Sequence, residues 1–354
     1  AVTIWLTSDN AGPAAPEVMA AVAAANEGYA GSYGADPWSE RATALVREQF
    51  EAPEAVVHLA ATGTAANSLA LACLAQPWQA IFCHAHAHVE EDEQGGPTFY
   101  SGAKLALVEG AHAKIDPEAL APAMATAAGA SVHNVQVGPL SITQATELGA
   151  VYSPQDVAAL AGIAKKHGVG VHMDGTRFAN AVARLGCSPA ELSWKAGVDV
   201  LCLGATKNGA MAAEAVIFFD GDKARAWEFE LRRKRGGHLF SKMRYVAAQM
   251  AGWLEDGLWL RLAAQANAQA DRLAEGLRAS GVAELPHPVD ANMVFPSMTR
   301  ATHRTLTEAG VKHYPSPPGP WTEGPDDEVL PSRMVCNWAT RDEEVDAVLA
   351  ALPG

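Results

Sequence analysis

The sequence predicts an α/β fold with a mostly parallel sheet in a large domain, followed by a smaller α+β domain at the C-terminal end. Two observations predict this class. Over the first 220 residues, short β-rich runs alternate with longer helical patterns, which is typical of repeated βαβ units. After Asp220 the alternation gives way to a long helical stretch over residues 223–269. We therefore divide the 354 residues into domains 1–250 and 251–354.

The elements of the large domain follow from apolar runs and helix-start signals. Ser153-Pro154 is a typical helix start, because serine caps the first turn and proline fits the first helical position. Strands are predicted at 55–60, 80–84, 104–108, 140–143, 169–173, 198–203 and 215–219, and helices at 64–75, 117–128 and 154–167. Strands joined through helices pair in parallel and are covered on both faces.

The small domain has a different order of elements. A proline-flanked stretch at 285–288 precedes it, and a proline-rich loop occupies 315–320. Strands are predicted at 292–295 and 332–338, and helices at 300–309 and 341–352. Mixed strands and helices without βαβ spacing indicate an α+β arrangement.

Composition excludes several classes of protein. The chain has 40 acidic and 26 basic side chains and a net charge of −14, which argues against a nucleic-acid-binding protein. The longest apolar run, at 18–25, is far shorter than the roughly 18 residues that span a membrane, so no membrane partner is expected. Residues 1–5 show no basic or strongly apolar leader, so we expect no signal peptide and a cytoplasmic protein.

The five cysteines give no framework for a disulfide or a zinc site. They stand at 73, 83, 187, 202 and 336, an odd number without a Cys-x-x-Cys pair. Most lie in apolar segments. We expect buried free thiols in a reducing compartment.

Gly63 and Thr64 open the helix that follows the first predicted strand. A helix N-terminus offers free backbone N–H groups, and the helix dipole favours an anion there. The pattern thus indicates an anion site, with an ordinary helix cap as the alternative.

Three histidines, His84, His86 and His88, alternate after the second predicted strand. On one strand face they could bind a metal, but no fourth ligand is evident and we expect no metal site. A single ring stacking on a planar ligand is the more interesting interpretation. For the acidic run at 90–93 we expect a solvated face, with support of His88 as the alternative.

Asp174 and Lys207 each follow a predicted apolar strand, and one further strand separates them. Taken alone, Asp174 could pair with Arg177 in a structural cap, and Lys207 could be a surface lysine. Together they match what pyridoxal phosphate (PLP) requires, an amine for its aldehyde and a carboxylate that keeps its ring nitrogen protonated. The anion site at Gly63 would hold its phosphate.

Arg333 enters an apolar strand of the small domain. An arginine in such a place requires a carboxylate partner. The carboxylate of an amino-acid substrate fits this need, and an ion pair within the chain is the alternative.

At this point the sequence closely resembles the threonine aldolases of the β-eliminating lyase/threonine aldolase superfamily, especially the bacterial low-specificity and phenylserine branch. The matching stretches run from near residue 8 to about 340. They are SDN from residue 8, YGADPW from 33, GTAAN from 63, AHVE from 87, HMDGTRF from 172, TKNG from 206 and RMVCNW from 333. The resemblance implies PLP fold type I, the aspartate aminotransferase-like fold, with a seven-stranded sheet.

The resemblance also implies roles for individual residues. Lys207 would bind the PLP aldehyde, Asp174 its ring nitrogen and His88 its ring face, with the phosphate at Gly63 and Thr64. A basic residue of the neighbouring subunit reaches that phosphate in the family, and Arg235 is our candidate. The residues implied to bind the substrate carboxylate are Ser8, Arg177 and Arg333.

One position departs from the family. Many members carry a histidine near the substrate hydroxyl where this sequence has Glu147, within QATE from residue 144. We expect Glu147, together with Tyr33, to line the substrate pocket. The resemblance further implies a homo-oligomer, a dimer of dimers with active sites at the subunit interface.

The implied reaction is retro-aldol cleavage of L-threonine, L-allo-threonine or L-phenylserine to glycine and an aldehyde. His88 is our candidate for the base that removes the β-hydroxyl proton. Another PLP reaction (β-elimination, racemisation or transamination), a cofactor-binding scaffold without lyase activity, and a histidine-based metal hydrolase are the alternatives.

Overall fold

The computed structural model describes residues 3–219, 221–315 and 321–353. Its strands are β1 (Ile4–Trp5), β2 (Val56–Ala60), β3 (Gln79–His84), β4 (Lys104–Val108), β5 (Gln136–Thr143), β6 (Val171–Gly175), β7 (Val200–Gly204), β8 (Glu214–Phe218), β9 (Met293–Val294), β10 (Ser297–Thr299), β11 (Val311–Lys312), β12 (Tyr314–Pro315) and β13 (Val329–Val335). Its α-helices are α1 (Pro16–Ala25), α2 (Pro37–Gln49), α3 (Gly63–Leu74), α4 (His88–Glu91), α5 (Gly96–Ser101), α6 (Pro117–Ala128), α7 (Pro154–Lys166), α8 (Phe178–Leu185), α9 (Lys223–Arg235), α10 (Arg244–Leu254), α11 (Leu258–Ser280), α12 (Arg300–Glu308) and α13 (Asp342–Ala350).

The large domain is built on a seven-stranded sheet in the order β2-β8-β7-β6-β5-β3-β4. All neighbours pair in parallel except β8, which runs antiparallel to both β2 and β7. The prediction of a mostly parallel seven-stranded sheet is therefore confirmed. Every residue of the neighbouring strands β6 and β7 is buried, because helices cover both sheet faces.

Most predicted elements appear with end shifts of a few residues. The α7 start is as expected, since Ser153 Oγ accepts a hydrogen bond from Asp156 N in a capping box. The long helical stretch is divided into α9, α10 and the first part of α11. The strand predicted at 292–295 shortens to β9, and most of the proline-rich loop, residues 316–320, lies outside the described residues.

The small domain includes the start of the chain. β13 pairs antiparallel with β9, β10 and β12, whereas β1 pairs in parallel with β11. The sequence reasoning missed β1, α1 and α2. The alanine-rich α1 and the polar α2 show no strong hydrophobic periodicity. The first residues thus complete the small domain before the chain enters the large one.

Two apolar cores meet along α11. Trp259 and Leu262 near its start pack in the core of the large domain, whereas Leu273 and Leu277 near its end pack with Ile4 in the small one. A boundary at residue 250 remains a prediction. All five cysteines are free thiols; Cys83, Cys202 and Cys336 are buried as expected, whereas Cys73 and Cys187 are partly exposed. Among the described helices, none is long and apolar enough to cross a membrane.

Candidate active site

Three chain segments meet at the carboxyl ends of the central strands. Asp174 lies near the end of β6 opposite Cys202 of β7, and Lys207 lies in the short turn after β7. Gly63 begins α3, and a Cβ atom added to it would lie 3.7 Å from Thr176 Oγ1. The structure therefore brings together the three parts that were predicted from strand ends.

Asp174 is only 1% exposed and is held by three hydrogen bonds. Its Oδ1 accepts from Thr176 N at 3.0 Å and from Thr176 Oγ1 at 2.7 Å, and its Oδ2 accepts from Asn67 Nδ2 at 2.9 Å. Burial by itself would raise the pKa of Asp174, but the positive charge of His88 and the Thr176 hydrogen bonds hold that pKa below its usual range. Asp174 is therefore a fixed, buried anion.

His88, at the first position of α4, is linked to Asp174 through two side chains. His88 Nδ1 lies 2.9 Å from Glu93 Oε1, and the same oxygen accepts from Asn67 Nδ2 at 2.8 Å. The bond with Glu93 raises the pKa of His88, and burial raises the pKa of Glu93. A carboxylate that holds Nδ1–H fixes the tautomer and leaves Nε2 as the available ring nitrogen.

The expectation of a solvated acidic run is wrong for Glu93. Glu90 and Glu91 are exposed, but Glu93 is only 3% exposed and faces His88. The alternative considered for this run, support of His88, is the one that the geometry bears out.

Glu147 supports His88 from the other side. Its Oε1 accepts a hydrogen bond from the backbone N–H of His88 at 2.7 Å, while its Oε2 is enclosed without a partner among the described residues. Burial raises the pKa of Glu147 to about 7. A carboxyl with this pKa exchanges a proton near neutral pH.

Lys207 is half-buried in a turn that its neighbours hold in place. Thr206 Oγ1 donates to Glu214 Oε1 at 2.6 Å and accepts from Ala213 N at 3.1 Å. Burial, together with the charge of Arg177, lowers the pKa of Lys207, although Asp9 and Asp174 act in the opposite direction. A lowered pKa increases the fraction of neutral amine, which is the nucleophilic form.

Arg177 pairs with Asp9, not with Asp174. Its Nε and Nη2 donate to the two oxygens of Asp9, each at 2.9 Å, and Asn292 Nδ2 also donates to Asp9 at 3.0 Å. The structural cap between Asp174 and Arg177 is therefore excluded. Ser8, next to Asp9, is half-buried, so the predicted Ser8 and Arg177 lie in one region.

Arg333 on β13 lies beside the same N-terminal segment. Its Nη2 donates to Thr7 O at 3.1 Å, and its guanidinium stands 5.4 Å from the ring centroid of Tyr314. Its Nε is buried without a partner, and the described residues provide no ion pair for it. The intrachain ion pair considered for Arg333 is thus not found in the described part of the chain, and the guanidinium remains able to take a carboxylate.

A cavity of about 600 Å³ adjoins Arg333. We call it the aromatic cavity, because its lining includes the following large rings and apolar groups: Leu148, His287, Phe295, Tyr314 and Trp321. Leu148 directly follows Glu147, so this cavity adjoins the segment that supports His88.

Two predicted residues stand apart from this group. Tyr33 donates its backbone N–H to Ser241 O at 2.9 Å, and Lys234 Nζ lies 4.7 Å from the centroid of its ring. Arg235 is exposed at the end of α9. No hydrogen bond or ion pair within the described ranges links either residue to Asp174 or Lys207.

The histidine trio does not converge. His84 Nε2 faces Gly110 O at 3.0 Å, and His86 Nδ1 pairs with Glu91 at 2.9 Å, so only His88 reaches the site. Among groups of three or more described histidines, cysteines and acidic residues, only His88, Glu93 and Asp174 have ligand atoms within 4.8 Å of one another. Asn67 already bridges Glu93 and Asp174 by hydrogen bonds.

The profile of the β-eliminating lyase family matches residues 6–301, most of the chain. The chain belongs to this family. A low specificity L-threonine aldolase of Pseudomonas aeruginosa is 42% identical over 344 residues, which cover 97% of this chain and 95% of that protein. A protein of the same description from a Pseudomonas species is 40% identical, with the same coverage of both chains. The chain is thus a PLP-dependent lyase.

Solved structures agree with this assignment. The Leishmania major threonine aldolase superimposes with a TM-score of 0.89 and 26% identity over 98% of both chains. The Sphingomonas wittichii serine palmitoyltransferase superimposes with a TM-score of 0.73 and 18% identity over 99% of this chain and 86% of its own. The second likeness concerns the fold, which is PLP fold type I as predicted.

The donor set of this β-eliminating lyase fits PLP. A fixed anion suits a protonated ring nitrogen, a lysine of lowered pKa suits an aldehyde, and the first amides of α3 suit a phosphate. Sequence reasoning missed the roles of Asn67, Asp9 and Asn292, and it gave support of His88 by the acidic run only as an alternative. Asn67 and Asp9 stand inside two of the motifs quoted for the resemblance, and that was the available signal.

Proposed function

We propose that this lyase cleaves L-β-hydroxy-α-amino acids, among them L-threonine, L-allo-threonine and L-phenylserine, to glycine and an aldehyde. The observation that carries the proposal is the hydrogen-bonded connection from His88 through Glu93 and Asn67 to Asp174. This connection supports a role for His88 as proton acceptor beside Asp174, the anion proposed to serve the cofactor. The names of the two Pseudomonas relatives support this substrate class.

The proposed PLP-binding residues are Lys207 for the aldehyde, Asp174 for the ring nitrogen and His88 for the ring face. Gly63 and Thr64 take the phosphate at the start of α3, whose first turn Thr62 caps by accepting from Ala65 N at 3.2 Å. Arg177, held by Asp9, would also contact the bound cofactor. When bound, PLP accepts the electron pair of the bond that breaks.

His88 takes the proton of the substrate β-hydroxyl group on its Nε2. Because Glu93 holds Nδ1, the ring cannot turn this nitrogen away, and the carboxylate stabilises the imidazolium that forms. Glu147 fixes the main chain of His88. The imidazolium of His88 can afterwards act as a proton donor.

Arg333 and Arg177 bind the substrate carboxylate, with Ser8 beside them. Two hydrogen bonds to Asp9 fix the orientation of the Arg177 guanidinium before substrate enters. Arg333 contributes a guanidinium whose Nε has no partner among the described residues. Two fixed cations orient the substrate and determine which of its bonds breaks.

The aromatic cavity receives the β-substituent. Arg333 and Leu148 both line it, so a substrate whose carboxylate binds Arg333 can extend into it. Glu147 lines the approach from His88. Its volume accommodates a phenyl ring as well as a methyl group, which agrees with a broad substrate range.

Tyr33 and Arg235 act in a homo-oligomer. Neither has a described link to Asp174 or Lys207 of its own chain, and both are exposed. We propose that they serve the active site of a neighbouring subunit, Arg235 at the phosphate and Tyr33 at the substrate, in a dimer of dimers located in the cytoplasm.

The test is a product analysis on L-threonine and L-phenylserine with the holoenzyme. Glycine together with acetaldehyde or benzaldehyde in equal amounts is the expected result. Lys207→Ala is expected to lose the visible absorbance of bound PLP and at least about a thousandfold in rate, because a covalent link is removed. Lys166→Ala, at an exposed lysine of α7, is the control that keeps both.

Other products would replace this proposal with another PLP reaction. A keto acid with ammonia would indicate β-elimination, and a D-amino acid would indicate racemisation. Bound, reducible PLP without turnover of any β-hydroxy amino acid would indicate a binding scaffold.

A further inference from the structure

Two histidines from different domains meet at the edge of the aromatic cavity. His112 lies in the turn Ala111–Ala113 after β4, and His287, which lines the cavity, lies after α11. Their Nδ1 atoms are 3.0 Å apart, and their ring planes cross at 89°. The two Nδ1 atoms hold one shared proton at most in this arrangement, and a cation that accepts both lone pairs can take its place.

The main chain of His112 and the ring of His287 are held by contacts that do not involve a cation. His112 has a left-handed backbone with φ of 57°, a conformation that is uncommon for non-glycine residues. Thr146 Oγ1 donates to His112 O at 2.8 Å. The ring of His287 packs edge-on against Phe295 with centroids 5.7 Å apart. The pair is therefore preorganised, which reduces the cost of binding a ligand.

We propose that His112 and His287 bind a first-row divalent transition cation, with Zn²⁺ as the representative and water as the remaining ligands. Two imidazole nitrogens on a tetrahedral zinc, each at about 2.0–2.1 Å, stand about 3.3 Å apart. The pair at 3.0 Å needs to open by only about 0.3 Å. Imidazole suits zinc, copper and nickel, whereas Mg²⁺ prefers oxygen ligands.

Burial lowers the pKa of His287, which favours the neutral ring that binds metal. The cation would join the turn after β4 in the large domain to the small domain. This site is separate from the group of His88, Glu93 and Asp174.

Titration calorimetry of the holoenzyme with Zn²⁺, after removal of free PLP, tests the proposal. We expect one site per chain for Zn²⁺ and none for Mg²⁺ at this position. His112→Ala and His287→Ala are each expected to weaken Zn²⁺ binding at least about tenfold, and the double variant to abolish the site. His133→Ala, at an exposed histidine before β5, is the matched control and keeps it.

Thermal unfolding gives a second readout that does not depend on substrate or turnover. Zn²⁺ should raise the unfolding temperature of the wild type and of His133→Ala, but not that of the double variant, because a ligand stabilises only the state that binds it. The pair His112→Asn and His287→Asn keeps polar side chains at both positions and serves if the alanine variants fold poorly. Equal Zn²⁺ binding by wild type and the asparagine pair, or no binding by the wild type, would overturn the proposal.

Discussion

Glu93→Gln tests whether the buried carboxylate controls the proton acceptor. The substitution keeps the shape of the side chain and an oxygen for His88 Nδ1–H, but it removes the negative charge at 2.9 Å from the ring. A hydrogen bond to a charged group contributes about 1 kcal/mol more than a neutral one. Since about 1.4 kcal/mol corresponds to one pH unit, the pKa of His88 should fall by roughly one unit.

The assay is the pH dependence of kcat/KM for glycine formation. His88 must be neutral to accept a proton, so activity rises as the pH passes its pKa, which Glu93 raises. In Glu93→Gln this rising limb should move to lower pH by about one unit, and the plateau should fall because a less basic imidazole accepts protons more slowly. Glu91→Gln, at an exposed position of the same acidic run, is the control and should leave the limb in place. A uniform loss of rate with an unmoved limb would show that Glu93 has only a structural role.

Three further predictions concern stability and specificity. Burial raises the pKa of Glu214 to about 8 from an ordinary 4.5, so this group should cost the folded wild type about 5 kcal/mol at most as pH rises from 4.5 to 8, and urea unfolding of Glu214→Gln should show a smaller loss of stability over this range. Gly204→Ala places a Cβ atom 2.8 Å from Thr176 Cα and should cost about 1–3 kcal/mol of unfolding free energy, whereas Gly162→Ala, which meets no atom within 4 Å, should not destabilise the protein. Phe295→Leu should lower kcat/KM for phenylserine about fivefold, through loss of about 1 kcal/mol of ring contact, and leave threonine unaffected; equal losses for both substrates would contradict a role of the aromatic cavity.

The centre of the site could be predicted from sequence because of the geometry of parallel sheets. Asp174 and Lys207 each follow a buried strand, and such strand ends meet at one edge. Asn67 could not be placed in the same way. Its partner Asp174 is 107 residues away, and only the packing of α3 against the sheet brings their side chains to 2.9 Å.

Glu93 shows why a run of like charges cannot be interpreted by composition alone. Its neighbours Glu90 and Glu91 belong to α4, which ends at Glu91, and the chain then turns through the positive φ angles of Gln94 and Gly95. Glu93 lies between this helix end and this turn and is buried, whereas Glu90 and Glu91 remain in solvent. No hydrophobic periodicity in the local sequence distinguishes Glu93 from Glu90 and Glu91.

The antiparallel β8 illustrates a signal that was present in the sequence. Only residues 205–213 join β7 to β8, fewer than the dozen or so that a parallel crossover needs. A count of connection lengths would therefore have predicted the reversal. β1 offered no comparable signal, because two residues that pair with β11 across the whole length of the chain leave no local pattern.

The N-terminal segment links both halves of the molecule through a single carboxylate. Asp9 receives Arg177 from the large domain and Asn292 from the small one, and β1 is joined to β11 only a few residues earlier. A rotation of one domain against the other would strain the hydrogen bonds of Arg177 and Asn292 to Asp9. Under the proposed role of Arg177 at the substrate carboxylate, trimming the chain ahead of Ser8 is expected to weaken substrate binding, because it removes the β1–β11 pairing beside Asp9.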